Sequence, residues 1–500
     1  MNPYVNELNH YLEKASGFTS MMNLLDYDMQ TCAPSGSDTN SSKLAGILAD
    51  EYRNIFVDKR VAYLIKKCKS LYKKGMISNK EKAIIKEAQK KRNELLPISA
   101  KDYRDFKELT ACSVNIWSKA KSNADFDSFA PTLSKIVDYK IKFAKNRIEM
   151  NKKNAGSSLY DIMLGDFEPD FNEKQLDAIF EKIKKEIIPL IKNRTKRDIP
   201  AWLKIEEHDK DKLRQFCLFL CEYLGFDPER GVIGESAHPF TINMHNHDVR
   251  ITNNFDGESL IEPIFSAIHE TGHALYELGI DNSITMTIIG EGTSMAMHEG
   301  QSRFFENMVG KQYSFWDPIY PKLIKLFPEK LDGIDLDDFL KNVNTVLPGP
   351  IRIQADELTY PLHIIVRYEL ERELIAGRLS VNDLPKAWNL KYKNYLDITP
   401  KNDAEGVLQD IHWATGEFGY FPSYLIGSAI AAQIYYHLKD VMPYDEYLKN
   451  GNIASVTNYL AENIYRYGKS LKTNILLKNM TGEEFNPDYY IKYLKEKYGN

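Results

Sequence analysis

The chain has 500 residues, 43% of them hydrophobic and 27% charged, with 65 Lys and Arg against 70 Asp and Glu for a net charge of −5. This is the balance of a soluble globular protein long enough to bury a large core. The acidic excess excludes a nucleic-acid groove as its main business and leaves basic clusters such as Lys90-Lys91-Arg92 as solvated helix faces. Five scattered cysteines fit a reducing compartment. The start at Met1-Asn2-Pro3-Tyr4 has neither a basic lead nor an apolar core, and no run of about 18 apolar residues occurs. The expectation is a cytoplasmic protein with no signal peptide and no membrane partner.

From Tyr4 to about Leu190 charged and apolar residues recur at helical spacing, with breaks near Pro34-Ser35-Gly36, Pro97 and Asn154-Ala155-Gly156. No linker and no internal repeat interrupts it, so one domain over 1–500 is expected, with a helical half over 1–230 and a motif-bearing half over 231–500. Trp202 to Phe226 reads as another helix. On it Cys217 and Cys221 share a face and are expected to be buried apolar residues. Alternation in Phe240, Ile242 and Met244, and again in Val249 and Ile251, predicts two short antiparallel strands joined by a turn at Asn246. His245 and His247, flanking that turn, are expected to be exposed rather than ligands.

The next segment carries His269-Glu270-Thr271-Gly272-His273 in an apolar helical pattern from Ile261 to Gly279, opened by Ser259 and Glu262 at capping-box spacing. His269 and His273, at i and i+4, project from one face of that helix, so two imidazole nitrogens can reach one divalent ion. Glu270 lies about 100° round the helix, placed to hold a water rather than the ion. Burying two imidazoles and a carboxylate among apolar residues is costly without such a partner. A catalytic site calls for a third ligand. Glu299 is the candidate, on a second helix beginning at Thr293 or Ser294, and His298, Glu306 and Glu291 are its competitors.

After a loop at Leu347-Pro348-Gly349-Pro350, a helix is predicted from Ile351 through Glu371. Arg352 at its head can grip a carboxylate bidentately, and Asp356 is its expected structural partner otherwise. The stretch from Gly406 to Tyr424 packs glycines and aromatics around His412 and Tyr420, candidate hydrogen-bond donors for an oxyanion.

Taken together, His238-Pro239-Phe240, Asp248-Val249-Arg250-Ile251-Thr252, His269-Glu270-Thr271-Gly272-His273, His298-Glu299-Gly300-Gln301-Ser302, Ile351-Arg352-Ile353-Gln354-Ala355-Asp356 and the Gly406–Tyr424 stretch resemble the carboxypeptidase Taq family of metallocarboxypeptidases. The resemblance implies a mainly α-helical metallopeptidase fold with a deep active-site groove, a small antiparallel sheet beside the metal, and a homodimer. By position, His269, His273 and Glu299 would bind one divalent metal per chain, zinc first and cobalt second. Glu270 would be the general base. Arg352, with His238, Asp248 and Arg250, would hold the substrate's C-terminal carboxylate, and His412 and Tyr420 would face the scissile carbonyl. Gly300 stands where the family more often has Ser, Leu278 where Gln is frequent, and Asn253-Asn254 where Thr-Arg is usual. The implied activity is release of C-terminal residues one at a time from peptides with a free C-terminus. An oligopeptidase or dipeptidase on the same core, or an inactive peptide-binding scaffold, are the rivals.

Overall fold

The computed structural model describes residues 2–151, 154–192 and 200–499. Among the described residues helices dominate, and the strands form one three-stranded sheet. The chain folds into two compact units, each assembled from three segments: Met1–Lys90, Asp198–Thr345 and Gly427–Asn486 in unit one, and Lys91–Arg197, Val346–Ile426 and Pro487–Asn500 in unit two. Among the described residues no helix is long and apolar enough to cross a membrane.

Unit one opens with the helix Pro3–Thr31, started by the Asn2 side chain accepting from the Tyr4 amide at 3.0 Å, with Pro3 in the first turn, where its missing N–H costs nothing. The sheet order is β1 (Gly231–Glu235), β3 (Asp248–Asn253), β2 (Thr241–His245). β2 and β3 pair antiparallel as the alternation predicts, with a register shift between Asn243 and His245. β1 runs parallel to β3, Gly231 opposite Val249 and Glu235 opposite Asn253, so the sheet is mixed rather than wholly antiparallel. Only Val232 and Ile233 in β1 are large and apolar, which left it without a strand-like alternation to read. The edge of β2 is covered rather than open: Ser20 and Asn23 of the first helix donate to the Met244 and Asn243 carbonyls at 2.7 Å each.

The expected helix over Trp202–Phe226 is shorter. Ala201–Leu203 and Glu207–Asp209 are separate 3₁₀ turns, and the α-helix runs Lys210–Leu224, stopped by Gly225 in the left-handed region at φ 106°. Its Cys217 and Cys221 are buried, as expected. Val249 and Ile251 of β3 are buried, and both that strand and the Lys210–Leu224 helix pack on the helix Ile261–Leu278. This last helix turns Ile264, Ile268 and Leu275 into the core.

In unit two the helix Glu173–Lys192 buries Leu176, Phe180, Ile183, Ile187 and Ile191, spaced by three and four as an amphipathic helix requires. The expected helix from Ile351 to Glu371 is broken. Arg352–Gln354 is a single 3₁₀ turn, and the α-helix runs Tyr360–Ile375. Asp356 causes the break by accepting from the amides of Leu347, Leu358 and Thr359, as a turn-forming carboxylate does. On that helix Glu371, fully buried, accepts from Trp413 Nε1 at 2.8 Å, Tyr160 Oη at 2.9 Å and the Gly419 amide at 3.0 Å. Gly419 has φ 91°, and a methyl there would lie 2.7 Å from the Leu164 amide nitrogen, so a glycine is needed on both counts.

Candidate metal centre and its surroundings

The helix Ile261–Leu278 presents His269 and His273 on one face, with ring centroids 4.9 Å apart. Opposite them the helix Met295–Arg303 begins where the spacing predicts, with Ser294 as its cap accepting from the Met297 amide at 3.2 Å. Gly272 sets how closely the two helices approach. A methyl group there would lie 2.7 Å from Ser302 Cα and 2.8 Å from the Gln301 carbonyl, so only hydrogen fits between them. Glu299 is thereby brought against both imidazoles, its Oε2 lying 3.6 Å from His269 Nε2 and 3.4 Å from His273 Nε2. One ligand atom from each of these three residues falls within 4.8 Å of the others, a spacing that one ion can bridge. Gly300, where the family more often has Ser, faces Ile430. A Cβ would meet Ile430 Cγ2 at 2.9 Å, so the smaller residue matches a bulky neighbour.

The chain continues from Arg303 into a π-helical turn, Phe304–Val309, which carries Glu306 back to the site. Glu306 Oε2 lies 2.7 Å from His269 Nδ1, while Arg303 donates to Glu299 Oε1 at 2.7 Å and to Glu306 Oε2 at 3.0 Å. Glu270, also on the first helix, is buried, and the Thr241 hydroxyl of β2 donates to its Oε2 at 2.6 Å. Two carboxylates, Glu299 and Glu306, thus share one guanidinium, and a third, Glu270, lies close enough to act on Glu299 through its charge, an excess of negative charge that a divalent cation would balance.

Burial is the largest influence on each of these groups. It pushes His273 down to about 3, keeping that imidazole neutral as a ligand must be. At His269 the nearby Glu299 and Glu306 outweigh burial and the pKa rises. Burial raises Glu270. For Glu299 and Glu306 burial is overcome by Arg303 and His269, which hold Glu299 far below the carboxylate range and Glu306 at about 2.

The other candidates stand outside the His269, His273 and Glu299 group, although His298 touches it. His298 turns its Nδ1 to His273 and its Nε2 to Glu277. Glu291 pairs with Lys469. His247 is exposed and bonds Asn282 at 2.9 Å. Asp248 and Arg250 form a two-pronged ion pair, 2.9 Å on each arm, with the guanidinium over the Tyr27 ring. His238 is exposed in the segment before β2.

Within unit two, Arg352 pairs with Asp410 rather than Asp356, its Nε donating to Oδ1 at 2.8 Å. Asp410 also takes Arg367 at 2.6 Å. Burial opposes its charge, but the two guanidiniums prevail and hold the carboxyl far below its ordinary value. His412 heads a one-turn helix, His412–Thr415, and its Nε2 lies 2.9 Å from Tyr424 Oη. Its Nδ1 has no hydrogen-bond partner among the described residues, and burial, followed by the charge of Arg352, pushes its pKa down to about 3. Tyr420 lies beside it, ring centroids 5.5 Å apart. A neutral imidazole with one ring nitrogen spare can still serve a ligand.

Sequence reasoning passed over Thr241, Glu277 and Arg303. Glu277 and Arg303 were within reach as the i+4 neighbours of His273 and Glu299. Thr241 had no such signal, because its contact with Glu270 depends on how β2 packs.

The family described as carboxypeptidase Taq (M32) metallopeptidase matches residues 7–498. Carboxypeptidase 1 of Bacillus subtilis (strain 168) is 36% identical over 506 residues, covering 100% of this chain and 99% of that protein. Among solved structures, Pyrococcus furiosus carboxypeptidase superposes with a TM-score of 0.92 at 30% identity, covering 100% of this chain and 99% of the other. Trypanosoma cruzi metallocarboxypeptidase 1 gives 0.91 at 28%, covering 99% of each chain. A helical chain matched from end to end, with two histidines and a glutamate grouped closely enough that they could hold a metal ion, belongs to the carboxypeptidase Taq (M32) family and is a metallocarboxypeptidase.

Proposed function

We propose that the chain acts as one peptidase domain that removes single C-terminal residues from peptides, with His269, His273 and Glu299 holding the metal and Glu270 as the general base. The convergence of two neutral-capable imidazoles and a buried carboxylate within 4.8 Å carries this reading. A divalent cation held there, zinc in the first instance and cobalt as the alternative, supplies Lewis acidity to a water and to a peptide carbonyl. Glu270 takes a proton from the attacking water and returns it to the amine of the departing residue. The Thr241 hydroxyl occupies its Oε2, which leaves Oε1 for that proton. The raised pKa of Glu270 suits a group that must give the proton back.

The roles of His412 and Tyr420 as oxyanion donors, and of Arg352, His238, Asp248 and Arg250 as grips on the terminal carboxylate, rest on the family resemblance of their segments. The spare Nδ1 of His412 supports the first of these. Homodimerisation and a cytoplasmic location rest on resemblance and composition.

Mass spectrometry of a mixed peptide pool, incubated with zinc-loaded protein and with an EDTA-treated control, tests the reading. A ladder of single residues lost from the C-terminus, absent with EDTA and absent for peptides ending in an amide, is the expected result. Internal cuts would replace it with an oligopeptidase, and intact peptides throughout with a binding scaffold.

A further inference from the structure

The two histidines of the candidate metal site are backed differently. His269 Nδ1 meets a carboxylate directly, Glu306 at 2.7 Å, whereas His273 Nδ1 meets another imidazole, His298 Nδ1 at 2.6 Å. His298 in turn places its Nε2 2.8 Å from Glu277 Oε1. We propose that Glu277 and His298 form a relay that fixes the tautomer and ring orientation of His273, making His298 a positioning residue rather than a ligand. The inference rests on the metal reading above and deepens it.

Proton placement follows from the fixed end of the chain. Glu277 is 3% exposed, and its Oε1 also receives the Gly292 amide at 3.0 Å while Asn243 of β2 donates to its Oε2. An oxygen accepting a backbone N–H is an acceptor, so the ring nitrogen of His298 facing it carries the proton. A neutral His298 then has its lone pair on Nδ1. His273 must answer with its own proton on Nδ1, which leaves the Nε2 lone pair turned toward Glu299. Glu277 thus sets, through two rings, which nitrogen of His273 is free to coordinate.

The local sequence is shaped around this arrangement. At Gly292 a methyl group would fall 2.8 Å from His298 Cδ2 and 3.2 Å from Glu277 Oε1, so any larger residue in the connecting loop would push the relay apart. The Tyr276 ring flanks His298, with centroids 5.4 Å apart, and its hydroxyl accepts from the Thr293 amide at 3.0 Å, tying the loop to the same helix. A buried carboxylate with three N–H donors from a strand, a loop and a histidine would be a costly way to fill space.

Three variants of the full-length, metal-stripped protein separate relay from packing, with Co2+ as the probe. His298→Ala removes the acceptor, and His298→Asn restores an oxygen near the Nδ1 position. Glu277→Gln keeps the hydrogen bonds, since Asn243 can rotate to offer the Oδ1 that has no partner, and removes only the charge. Chelator competition should show Co2+ binding weakened about 10- to 100-fold in His298→Ala. It should recover most of that in His298→Asn, lie between the two in Glu277→Gln, and be accompanied by altered visible absorption of bound Co2+ in His298→Ala. Wild-type affinity and spectrum in His298→Ala would overturn the relay, as would a His298→Asn protein no better than His298→Ala. Failure of the wild-type protein to bind Co2+ at all would instead overturn the metal reading itself.

Discussion

Glu306 accepts the Nδ1 proton of His269 at 2.7 Å on the same oxygen that Arg303 holds at 3.0 Å. The ring is therefore locked with its Nε2 toward Glu299, and the negative charge behind it makes the imidazole a better electron donor. Glu306→Gln should weaken zinc binding on the order of 10- to 100-fold while leaving the fold intact. Competition with a chromophoric chelator measures it. Unchanged affinity would mean that the charge behind His269 contributes nothing.

Glu270→Gln should remove the proton acceptor without removing a ligand. The Thr241 hydroxyl can still donate to the amide oxygen at that position. The expected outcome is full zinc occupancy by metal analysis, with kcat reduced by about 10²-fold or more. Retention of substantial turnover would eliminate Glu270 as base.

Gly272→Ala inserts a methyl group at 2.7 Å from Ser302 Cα, backbone that cannot swing aside as a side chain can. The helices must separate, at about 1–3 kcal/mol of stability. Because Glu299 rides on the displaced helix, metal affinity should fall together with the melting temperature. A variant that loses stability and keeps wild-type zinc affinity would show that the helix spacing does not set the ligand geometry.

Glu371 gives a pH dependence with a definite sign. Burial pushes its carboxyl up to about 7 despite the three donors it accepts from. The folded state therefore holds a proton that the unfolded chain has released, with an unfolded value near 4.5. Its contribution to stability is fully present below about pH 4.5 and is lost as pH rises through 7. In Glu371→Gln the amide nitrogen displaces one acceptor, a constant penalty of about 1–3 kcal/mol, but nothing titrates. The wild-type advantage seen at pH 5 should shrink by pH 8, by on the order of 3 kcal/mol at about 1.36 kcal/mol per pH unit. Urea unfolding at the two pH values reads it, and a difference independent of pH would place the ordinary carboxylate pKa on this residue.

The helix carrying His269 and His273 was legible residue by residue because its information is local. Ile264, Ile268 and Leu275 repeat at the helical period, and i to i+4 spacing alone puts two imidazoles on one face. The start of the next helix at Ser294 was legible for the same reason, a cap being a contact across three residues. The errors fell where local preference and long-range contact compete. The helix expected from Ile351 was broken by Asp356 capturing the amides of Leu347, Leu358 and Thr359, and Arg352 took Asp410, 58 residues away, instead of the neighbour four along. β1 needed its parallel partner β3 to be a strand at all.

By itself, then, the sequence determined which residue types and spacings could chelate a metal, and the succession of motifs that marks the family. Tertiary structure decided that Glu299 rather than His298 faces both imidazoles, that His298 and Glu306 stand behind them, and that Thr241 steadies Glu270. The physical reason is that ligand choice between adjacent residues turns on about 100° of helix rotation. That rotation is settled by how closely two helices can pack at Gly272, a contact between residues 30 apart that no spacing rule encodes.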